Sequence, residues 1–405
     1  MNQSRYDVAI AGASLAGCAA ARLFAQTGAR VVLVERQPEL DAYKVTCTHA
    51  IQPSASGAIE RLGLAPLLDR AGAVRIRPAL WTPYGGWVQF TSDGPTGYGI
   101  TRRRLDPMLR RLAIETDGVD YLPGQTVVGL LGDGERAAGL VTEARDGTRT
   151  ELPARLTVAA DGRYSTVARL AGVRARILPN KRFAYFAYWR GVRPRTDEAR
   201  IWFLEPDGAA VFPNEDGLTL IAVIAHDPRL PEFRADLEGE YHRIIDGLAD
   251  GPDLGAAQRE SKLMGKLSMP NKFRPAGGRG LAFVGDAALA ADPLFGVGCG
   301  WAFQTAEWLV ERTAPALNDR GALDRALRRY RHTILRRLGP HHLQMSDYST
   351  GRRMRLDERT VIRAATRDRV VGAAFEEVGT RQRQPLRMLD PRLLPRLVRY
   401  GRPSS

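Results

Sequence analysis

Three small residues near the start of the chain have the spacing of a phosphate-binding turn. Gly12, Ser14 and Gly17 follow the pattern G-x-G-x-x-G, with serine in place of the central glycine. Gly12 permits a tight turn, Gly17 allows a helix and a strand to approach closely, and the backbone at Ser14 must pass close to a pyrophosphate. A helix that begins here stabilises phosphate charge with its free N–H groups. The spacing therefore predicts a dinucleotide site.

The sequence around this turn predicts the elements that such a site requires. Residues 6–11, YDVAIA, have a strand pattern, and the helix pattern CAAARLFAQTG ends at Gly28, a residue suited to a helix C-cap. A second apolar strand ends at Glu35, 23 positions after Gly12, where a carboxylate can accept a hydrogen bond from a ribose hydroxyl. Arg36 follows and is included among the predicted cofactor-binding residues. A glycine- and alanine-rich turn that serves packing alone is the alternative.

A later segment has the composition of a second cofactor-binding turn. In GDAALAADPLFGVG, Asp286 ends an apolar strand, and Pro293, Gly296 and Gly298 open the helix that follows. This segment resembles the class A FAD-dependent monooxygenases, the p-hydroxybenzoate hydroxylase-like family. The resemblance implies that Asp286 binds the ribitol or ribose of FAD, and that the proline and glycines bring backbone N–H groups against the flavin ring. A helix N-terminus there stabilises the negative charge of reduced flavin.

Two more segments extend the resemblance. Asp161 lies in ADGRYSTVAR, which is similar to the DG motif that serves both FAD and the nicotinamide donor in the family. Arg102 lies in ITRRRLDPML and matches the family's R-x-x-L, whose arginine contacts the flavin diphosphate. The matching stretches follow the order expected for the family: 6–36, 100–112, 158–173 and 280–310.

The sequence also departs from the family. Leu289 stands where the family usually has histidine, and Gly300, beyond Cys299, replaces the usual asparagine. The segment 43–64, YKVTCTHAIQPSASGAIERLGL, is reminiscent of the K-V-C-G region of geranylgeranyl-reductase-like and halogenase-like flavoproteins. The sequence contains no W-x-W-x-I-P string, which disfavours a halogenase. The position of the chain within this wider superfamily is therefore open.

A few residues are candidates for direct contact with the reacting groups. The resemblance places Cys299 near the flavin ring, where a thiol role competes with the ordinary role of cysteine as a small buried hydrophobe. His49 and Lys44 lie on the loop after the second strand, and His49 is either a proton carrier or a structural hydrogen-bonding group. Tyr185 is a second candidate base for activating a phenol. The sequence contains no convincing catalytic triad or metal-ligand cluster.

Aromatic residues mark a second structural unit. The strand patterns of residues 183–226 contain Tyr185, Trp189, Trp202 and Phe212, and the turn sequences PDG and NEDG separate them. They predict an antiparallel sheet. Its aromatic side chains either cover an apolar pocket above the flavin or form ordinary core.

The predicted fold class is α/β, with a Rossmann-like FAD-binding domain, an inserted antiparallel-sheet substrate domain and a helical C-terminal segment. A length of 405 residues agrees with two or three domains. The FAD-binding domain is predicted at 1–75, 100–175 and 275–320, the substrate domain at 76–99 and 176–274, and the C-terminal segment at 321–405.

The resemblance implies a FAD-dependent monooxygenase that uses NADPH or NADH and O2. It would hydroxylate or epoxidise an aromatic or polycyclic small molecule through a C4a-hydroperoxyflavin, in specialised metabolism such as antibiotic biosynthesis. The alternative is a flavin-dependent reductase of a carbon–carbon double bond. A separate flavin reductase is an alternative source of electrons, and a carrier protein is a further candidate partner.

Composition excludes several other classes of protein. Of the net charge of +14, +13 lies between Arg320 and Ser405, so the rest of the chain is nearly neutral and nucleic acid is a poor candidate partner. The longest uncharged apolar stretch, 8–21, is too short to span a membrane. It also lacks a basic leader and a cleavage pattern. Three cysteines without metal spacing predict neither a disulfide framework nor a metal site, and we expect a cytoplasmic protein.

Overall fold

The computed structural model describes residues 6–91, 94, 96–194 and 196–402. The strands are, in chain order, β1 (Tyr6–Ala11), β2 (Val31–Val34), β3 (Ala50–Ile51), β4 (Val74–Thr82), β5 (Gly86–Trp87), β6 (Gly97–Gly99), β7 (Val119–Leu122), β8 (Thr126–Gly132), β9 (Ala137–Glu143), β10 (Arg149–Ala159), β11 (Arg176–Leu178), β12 (Arg182–Arg190), β13 (Glu198–Phe203), β14 (Gly208–Pro213), β15 (Leu218–His226), β16 (Gln258–Arg259), β17 (Met264–Lys266), β18 (Asn271–Phe273), β19 (Gly277–Gly278), β20 (Leu281–Phe283) and β21 (Leu289–Ala290).

The α-helices are, in chain order, α1 (Leu15–Ala25), α2 (Ser56–Arg61), α3 (Ala65–Arg70), α4 (Arg102–Ile114), α5 (Thr166–Leu170), α6 (Leu230–Ala235), α7 (Leu237–Asp246), α8 (Gly298–Thr313), α9 (Arg320–Arg337), α10 (Gly339–Tyr348), α11 (Leu356–Arg367), α12 (Arg369–Gly379) and α13 (Leu394–Tyr400).

The first sheet is the Rossmann-like one. Its strand order is β19-β20-β10-β1-β2-β7, and the five strands from β20 to β7 run parallel. All four residues of β2 are buried, as expected for a parallel strand whose two faces are covered. Helix α1 connects β1 to β2 and packs against α8 and α4. The predicted strand, turn, helix and strand unit is therefore present, and the α/β fold class is confirmed.

The turn between β1 and α1 shows why glycine is needed at two positions. Gly12 has a φ of +102°, and a Cβ on it would lie 2.7 Å from the carbonyl oxygen of Ala160 at the end of β10. A Cβ on Gly17 would lie 1.8 Å from the carbonyl oxygen of Gly12. The close approach of α1 to its own entry strand is thus possible only with a hydrogen atom at position 17.

The second sheet is largely antiparallel, as the aromatic strands predict. Its order is β16-β12-β15-β14-β13-β4-β6-β3, and β13 with β4 is its parallel pair along this path. One face of the sheet packs against α6 and α7, where Phe233 and Tyr241 are buried. The opposite face carries Ala184, Phe186 and Phe212.

The domain boundaries drawn from the sequence stay a prediction. Strand β3 lies within the segment 1–75, yet it pairs with β6 in the second sheet. Parts of the predicted ranges, residues 1–5, 92, 93, 95, 195 and 403–405, lie outside the described residues.

The C-terminal segment is helical, as predicted. Helix α9 buries Leu323, Leu327, Tyr330 and Ile334, a stripe at helical spacing, and packs against α8. The Tyr330 hydroxyl donates a hydrogen bond to the carbonyl of Phe283 in β20 at 2.8 Å, which ties this helix to the first sheet. Within the part of the chain that the structure describes, no helix combines the length and the apolar character that crossing a bilayer requires.

We predict that Gly17→Ala destabilises the protein, because the added methyl group overlaps the Gly12 carbonyl oxygen. Forced overpacking of this kind costs about 1–3 kcal/mol, which thermal unfolding would register as a lower Tm. Gly339→Ala is the matched control, since a Cβ there meets no atom within 4 Å. An equal Tm for the two variants would contradict the close approach of α1 to the turn.

Candidate active site

A cavity of about 740 Å³ lies between the carboxyl ends of the parallel strands and the second sheet. Its volume is typical of small-molecule and cofactor sites. Most of the residues predicted to bind a cofactor line it, namely Gly12, Ser14, Glu35, Arg36, Arg102, Asp161, Asp286, Pro293, Gly296, Gly298 and Cys299. Gly17 lies under the turn instead, and His49 and Tyr185 are not among the lining residues.

Glu35 holds the first turn at the edge of the cavity. Its Oε2 accepts a hydrogen bond from the N–H of Ala13 at 2.8 Å, and its Oε1 accepts one from the N–H of Gln37 at 2.9 Å. A carboxylate oxygen has more than one lone pair, so both oxygens keep capacity for a further donor. The sequence predicted the position of Glu35, and the structure adds this bond to the turn.

Arg102 is buried at the start of α4 and joins three stretches of chain. Its Nε and Nη2 donate to Asp106 at 2.6 and 2.9 Å, and Nη2 also donates to the hydroxyl of Ser14 at 2.7 Å. The N–H of Lys44 donates to Asp106 at 3.0 Å. Burial alone would lower the pKa of the guanidinium, but the negative charge of Asp106 keeps it above its usual value. Arg102 is therefore a buried, paired cation at the cavity wall.

His49 is fixed through both ring nitrogens. Its Nδ1 accepts a hydrogen bond from the N–H of Arg102 at 2.9 Å, so in the neutral ring the proton lies on Nε2, which contacts the Tyr188 hydroxyl. Burial lowers the pKa of His49 and favours that neutral form. This geometry supports the structural alternative for His49. Tyr188 was not identified from the sequence.

Cys299 has a partner that the sequence did not reveal. The sulfur atoms of Cys47 and Cys299 lie 3.6 Å apart, although 252 positions separate them in the chain. The N–H of His49 donates to Cys47 Sγ at 3.3 Å, and a guanidinium nitrogen of Arg102 lies 3.9 Å from the same sulfur. The hydrogen bond from Cys299 and the nearby positive charges hold the pKa of Cys47 well below its usual value. The same pairing raises the pKa of Cys299, which keeps its proton.

The segment GDAALAADPLFGVG brings a charged pair and a helix N-terminus to the cavity. Helix α8 begins at Gly298, where a Cβ would meet no atom within 4 Å, so its first N–H groups are approachable. Gly296 has a φ of +60°, which turns the chain into this helix. Asp286 forms an ion pair with Lys44 at 3.1 Å. Burial raises the pKa of Asp286, but the positive charge of Lys44 outweighs it and holds that pKa below its usual value.

Strands β12 and β15 of the second sheet cover the cavity with small and apolar side chains, and Lys266 of β17 adds one charged side chain. Ala184, Phe186, Ala222 and Ile224 line it from β12 and β15. Tyr185 lies between two of these residues on β12, so its side chain points to the other face, where its ring stacks on Phe233 with centroids 5.8 Å apart.

The structure therefore corrects part of the sequence interpretation of the aromatic strands. Trp189 and Trp202 belong to the core on the face opposite the cavity, together with Tyr185. Phe212 is on the cavity side, 3.9 Å from the position of a Cβ on Gly296. Tyr185 is not placed to act as a base in this cavity, because strand alternation directs it away.

Comparison with known proteins decides the family. Residues 5–338 match the family model described as FAD binding domain. The chain belongs to this FAD-binding family. It is a FAD-dependent oxidoreductase, and the wider superfamily indicated by the sequence is confirmed.

Individual relatives extend over most of the chain. Digeranylgeranylglycerophospholipid reductase 1 of Methanopyrus kandleri is 28% identical over 334 residues, which cover 80% of this chain and 84% of the relative. A geranylgeranyl bacteriochlorophyll reductase-like protein of Thermoplasma acidophilum has the same fold, with a TM-score of 0.74 and 19% identity over 97% of this chain and 99% of that one. PqsL of Pseudomonas aeruginosa, described as "a probable FAD-dependent monooxygenase", has a TM-score of 0.68 and 20% identity over 85% of this chain and 98% of its own.

The residues around the cavity fit FAD. Asp161 accepts a hydrogen bond from the N–H of Val167 at 3.0 Å through Oδ2, while its Oδ1 is buried without a partner among the described residues. That oxygen suits a cofactor hydroxyl or amine. A Cβ on Gly162, which has a φ of +84°, would meet nothing within 4 Å, and this open backbone can lie against a flat ring. Arg102, Lys44 and the N-termini of α1 and α8 supply positive charge for the diphosphate and for reduced flavin.

We predict that iodoacetamide alkylates Cys47 at a pH below the roughly 8.5 at which a free thiol ionises. In Cys299→Ala the pH midpoint of alkylation should rise, because the thiolate of Cys47 loses the hydrogen bond that stabilises it. Mass spectrometry of the Cys47 peptide measures the rate at each pH. Cys18 is the internal control, since it is fully buried and burial raises the pKa of its thiol. An unchanged midpoint in Cys299→Ala would show that the two sulfurs do not interact.

Proposed function

We propose that this protein is a FAD-dependent reductase that adds two hydrogen atoms across a carbon–carbon double bond of an elongated apolar substrate. The observation that carries this proposal is the 28% identity, over 80% of the chain, to a digeranylgeranylglycerophospholipid reductase. The segment 43–64, which was reminiscent of geranylgeranyl-reductase-like proteins, forms the cavity wall at Lys44 and Cys47. The reductase, which the sequence analysis gave as the alternative, is therefore the main functional hypothesis, ahead of the monooxygenase.

The cavity lining supports an apolar substrate. The cover formed by Ala184, Phe186, Ala222 and Ile224 carries no polar side-chain atom, and Met269 extends it. Methionine adapts its shape to flexible chains, which suits a prenyl or similar hydrocarbon. Charged groups are concentrated on the opposite wall, around Arg102. The substrate would therefore lie between the second sheet and the flavin.

The proposed mechanism separates the roles of the cofactor and the chain. When bound and reduced, FAD supplies a hydride. The second sheet excludes water from the reacting carbons, and the N-terminus of α8 stabilises negative charge at the flavin position. A proton must reach the other carbon of the double bond. We propose Cys299 Sγ as the source of this proton, because it lies on the cavity wall and because its hydrogen bond to Cys47 and its burial raise its pKa.

The electron donor is part of the proposal. We propose that NADPH or NADH reduces the flavin, with a separate flavin reductase as the alternative source. Asp161 and Arg36, which line the cavity, are the residues that we propose for contacts with the cofactors.

A monooxygenase is the second candidate function, because PqsL has the same fold and the side chains that β12 and β15 turn to the cavity are apolar. An oxygenating flavoenzyme also needs a dry cavity, since water promotes loss of activated oxygen as hydrogen peroxide. In that case the substrate would be a small aromatic or polycyclic molecule, and O2 would be the co-substrate.

The two functions predict different products. We expect the purified holoenzyme, reduced by NADPH or by dithionite without air, to convert a geranylgeranyl-type polyprenyl compound into a product heavier by two hydrogen atoms for each bond reduced. A parallel reaction under an atmosphere of ¹⁸O₂ should give a product that contains no ¹⁸O. Mass spectrometry distinguishes these results. A labelled, oxygenated product from a prenyl or an aromatic substrate would contradict the reductase and support the monooxygenase.

A further inference from the structure

A second cleft, of about 1190 Å³, lies on the C-terminal helices. Five of the arginines that line it come from α9: Arg325, Arg328, Arg329, Arg336 and Arg337. Three more come from α8 and from the segment after α12: Arg312, Arg381 and Arg383. We call the surface formed by these eight residues the arginine cleft. It shares no lining residue with the flavin cavity.

The spacing of these residues on α9 brings like charges together. Arg325, Arg329 and Arg336 lie with His332 along one face of the helix, and Arg325 and Arg329 are four residues apart. Like charges at this spacing destabilise a helix. A bound anion would remove that cost, so the arrangement favours a ligand of negative charge.

The cleft lacks the carboxylates that pair with arginines elsewhere in the same region. Glu377 is its one lining carboxylate, and Glu377 forms an ion pair with Arg387, outside the cleft, at 3.1 Å. Within the described ranges, none of the eight cleft arginines forms an ion pair. By contrast, Arg352 pairs with Glu358 at 2.6 Å. The local arrangement, and not arginine content alone, leaves the positive charges of the cleft unpaired.

Polar groups with unused hydrogen-bonding capacity also line the cleft. Gln304 and Gln384 each donate through Nε2, to the carbonyls of Ser54 and Arg337 at 2.9 and 2.8 Å. Their Oε1 atoms are buried without partners among the described residues, as is the hydroxyl oxygen of Ser54. Two acceptors and a hydroxyl without partners thus belong to residues of the cleft wall, and a ligand that can itself donate hydrogen bonds, as an alcohol does, suits them.

We propose that the arginine cleft binds a phosphate ester of a polyol. Guanidinium groups bind phosphate oxygens in a bidentate manner, and several lie around this cleft. The hydroxyls of the ligand would donate to Gln304 and Gln384. A concave site of this volume suits a small head group better than the flat surface of an acidic protein. Two sources have this chemistry, a soluble polyol phosphate and the headgroup of an anionic phospholipid. The proposal does not depend on the reaction at the flavin cavity.

The test compares two double variants of the full-length holoenzyme that lose the same charge. Arg329→Gln with Arg336→Gln removes two cleft arginines. Arg369→Gln with Arg392→Gln removes two exposed arginines elsewhere in the C-terminal segment. Binding of glycerol 3-phosphate is measured by calorimetry. Binding to phosphatidylcholine vesicles with and without phosphatidylglycerol is measured by sedimentation.

We expect the cleft variant to bind at least one of the two probes about tenfold more weakly than the wild type, since charge-assisted hydrogen bonds are lost. The control variant should change affinity less than about twofold. The Tm of the cleft variant should stay close to that of the wild type, because relief of repulsion at Arg329 offsets the loss of a stabilising charge at Arg336 in the last turn of α9, so weaker binding cannot be attributed to unfolding. Binding of glycerol 3-phosphate alone identifies a soluble ligand, and binding of phosphatidylglycerol vesicles alone identifies a lipid headgroup. If the wild type binds neither probe, or the two variants bind equally, the proposal is wrong.

Discussion

The buried guanidinium of Arg102 is the constraint on which the cavity depends. A cation that is buried without partners is very costly, so Arg102 must keep its bonds to Asp106 and Ser14. Two further hydrogen bonds, from the Arg102 N–H to His49 Nδ1 and from the Lys44 N–H to Asp106, help to tie the start of α4 to the first turn and to the loop after β2. Three stretches of chain that are distant in sequence are thereby held in fixed positions relative to one another. The cavity lies along the surface that they share.

The two walls of that cavity differ in chemistry. Backbone N–H groups, glycines and charged side chains form the wall built by the parallel sheet, and this wall fits FAD. The second sheet supplies the apolar wall through alternate residues of β12 and β15, such as Phe186 and Ala222. Between them lie Cys47 and Cys299, whose sulfur atoms are 3.6 Å apart and whose interaction lowers the pKa of Cys47 and raises that of Cys299. A charged surface and an apolar one therefore meet at the position where, under the proposed function, a hydride and a proton would be delivered.

Local sequence predicted much of the fold, because the Gly12–Gly17 turn, its flanking strands and the helix opened by Gly298 are each encoded by neighbouring residues. The pairing of Cys47 with Cys299 was beyond such reasoning, since it depends on the packing of α8 against a loop far away in sequence. The direction of Tyr185 could not be fixed either, because one residue of register moves a side chain to the other face of a strand. The C-terminal charge excess was visible, whereas its concentration in one cleft follows from how α8, α9 and the segment after α12 pack.

The central claim is that these separated stretches of backbone converge to hold one FAD. The most direct test is the molar ratio of FAD to protein, measured from visible absorbance after the purified protein is incubated with excess FAD and desalted. We expect a ratio of about one, with a lower ratio in Arg102→Gln, which breaks the link between the stretches. A wild-type protein that remains colourless and retains no FAD would contradict it.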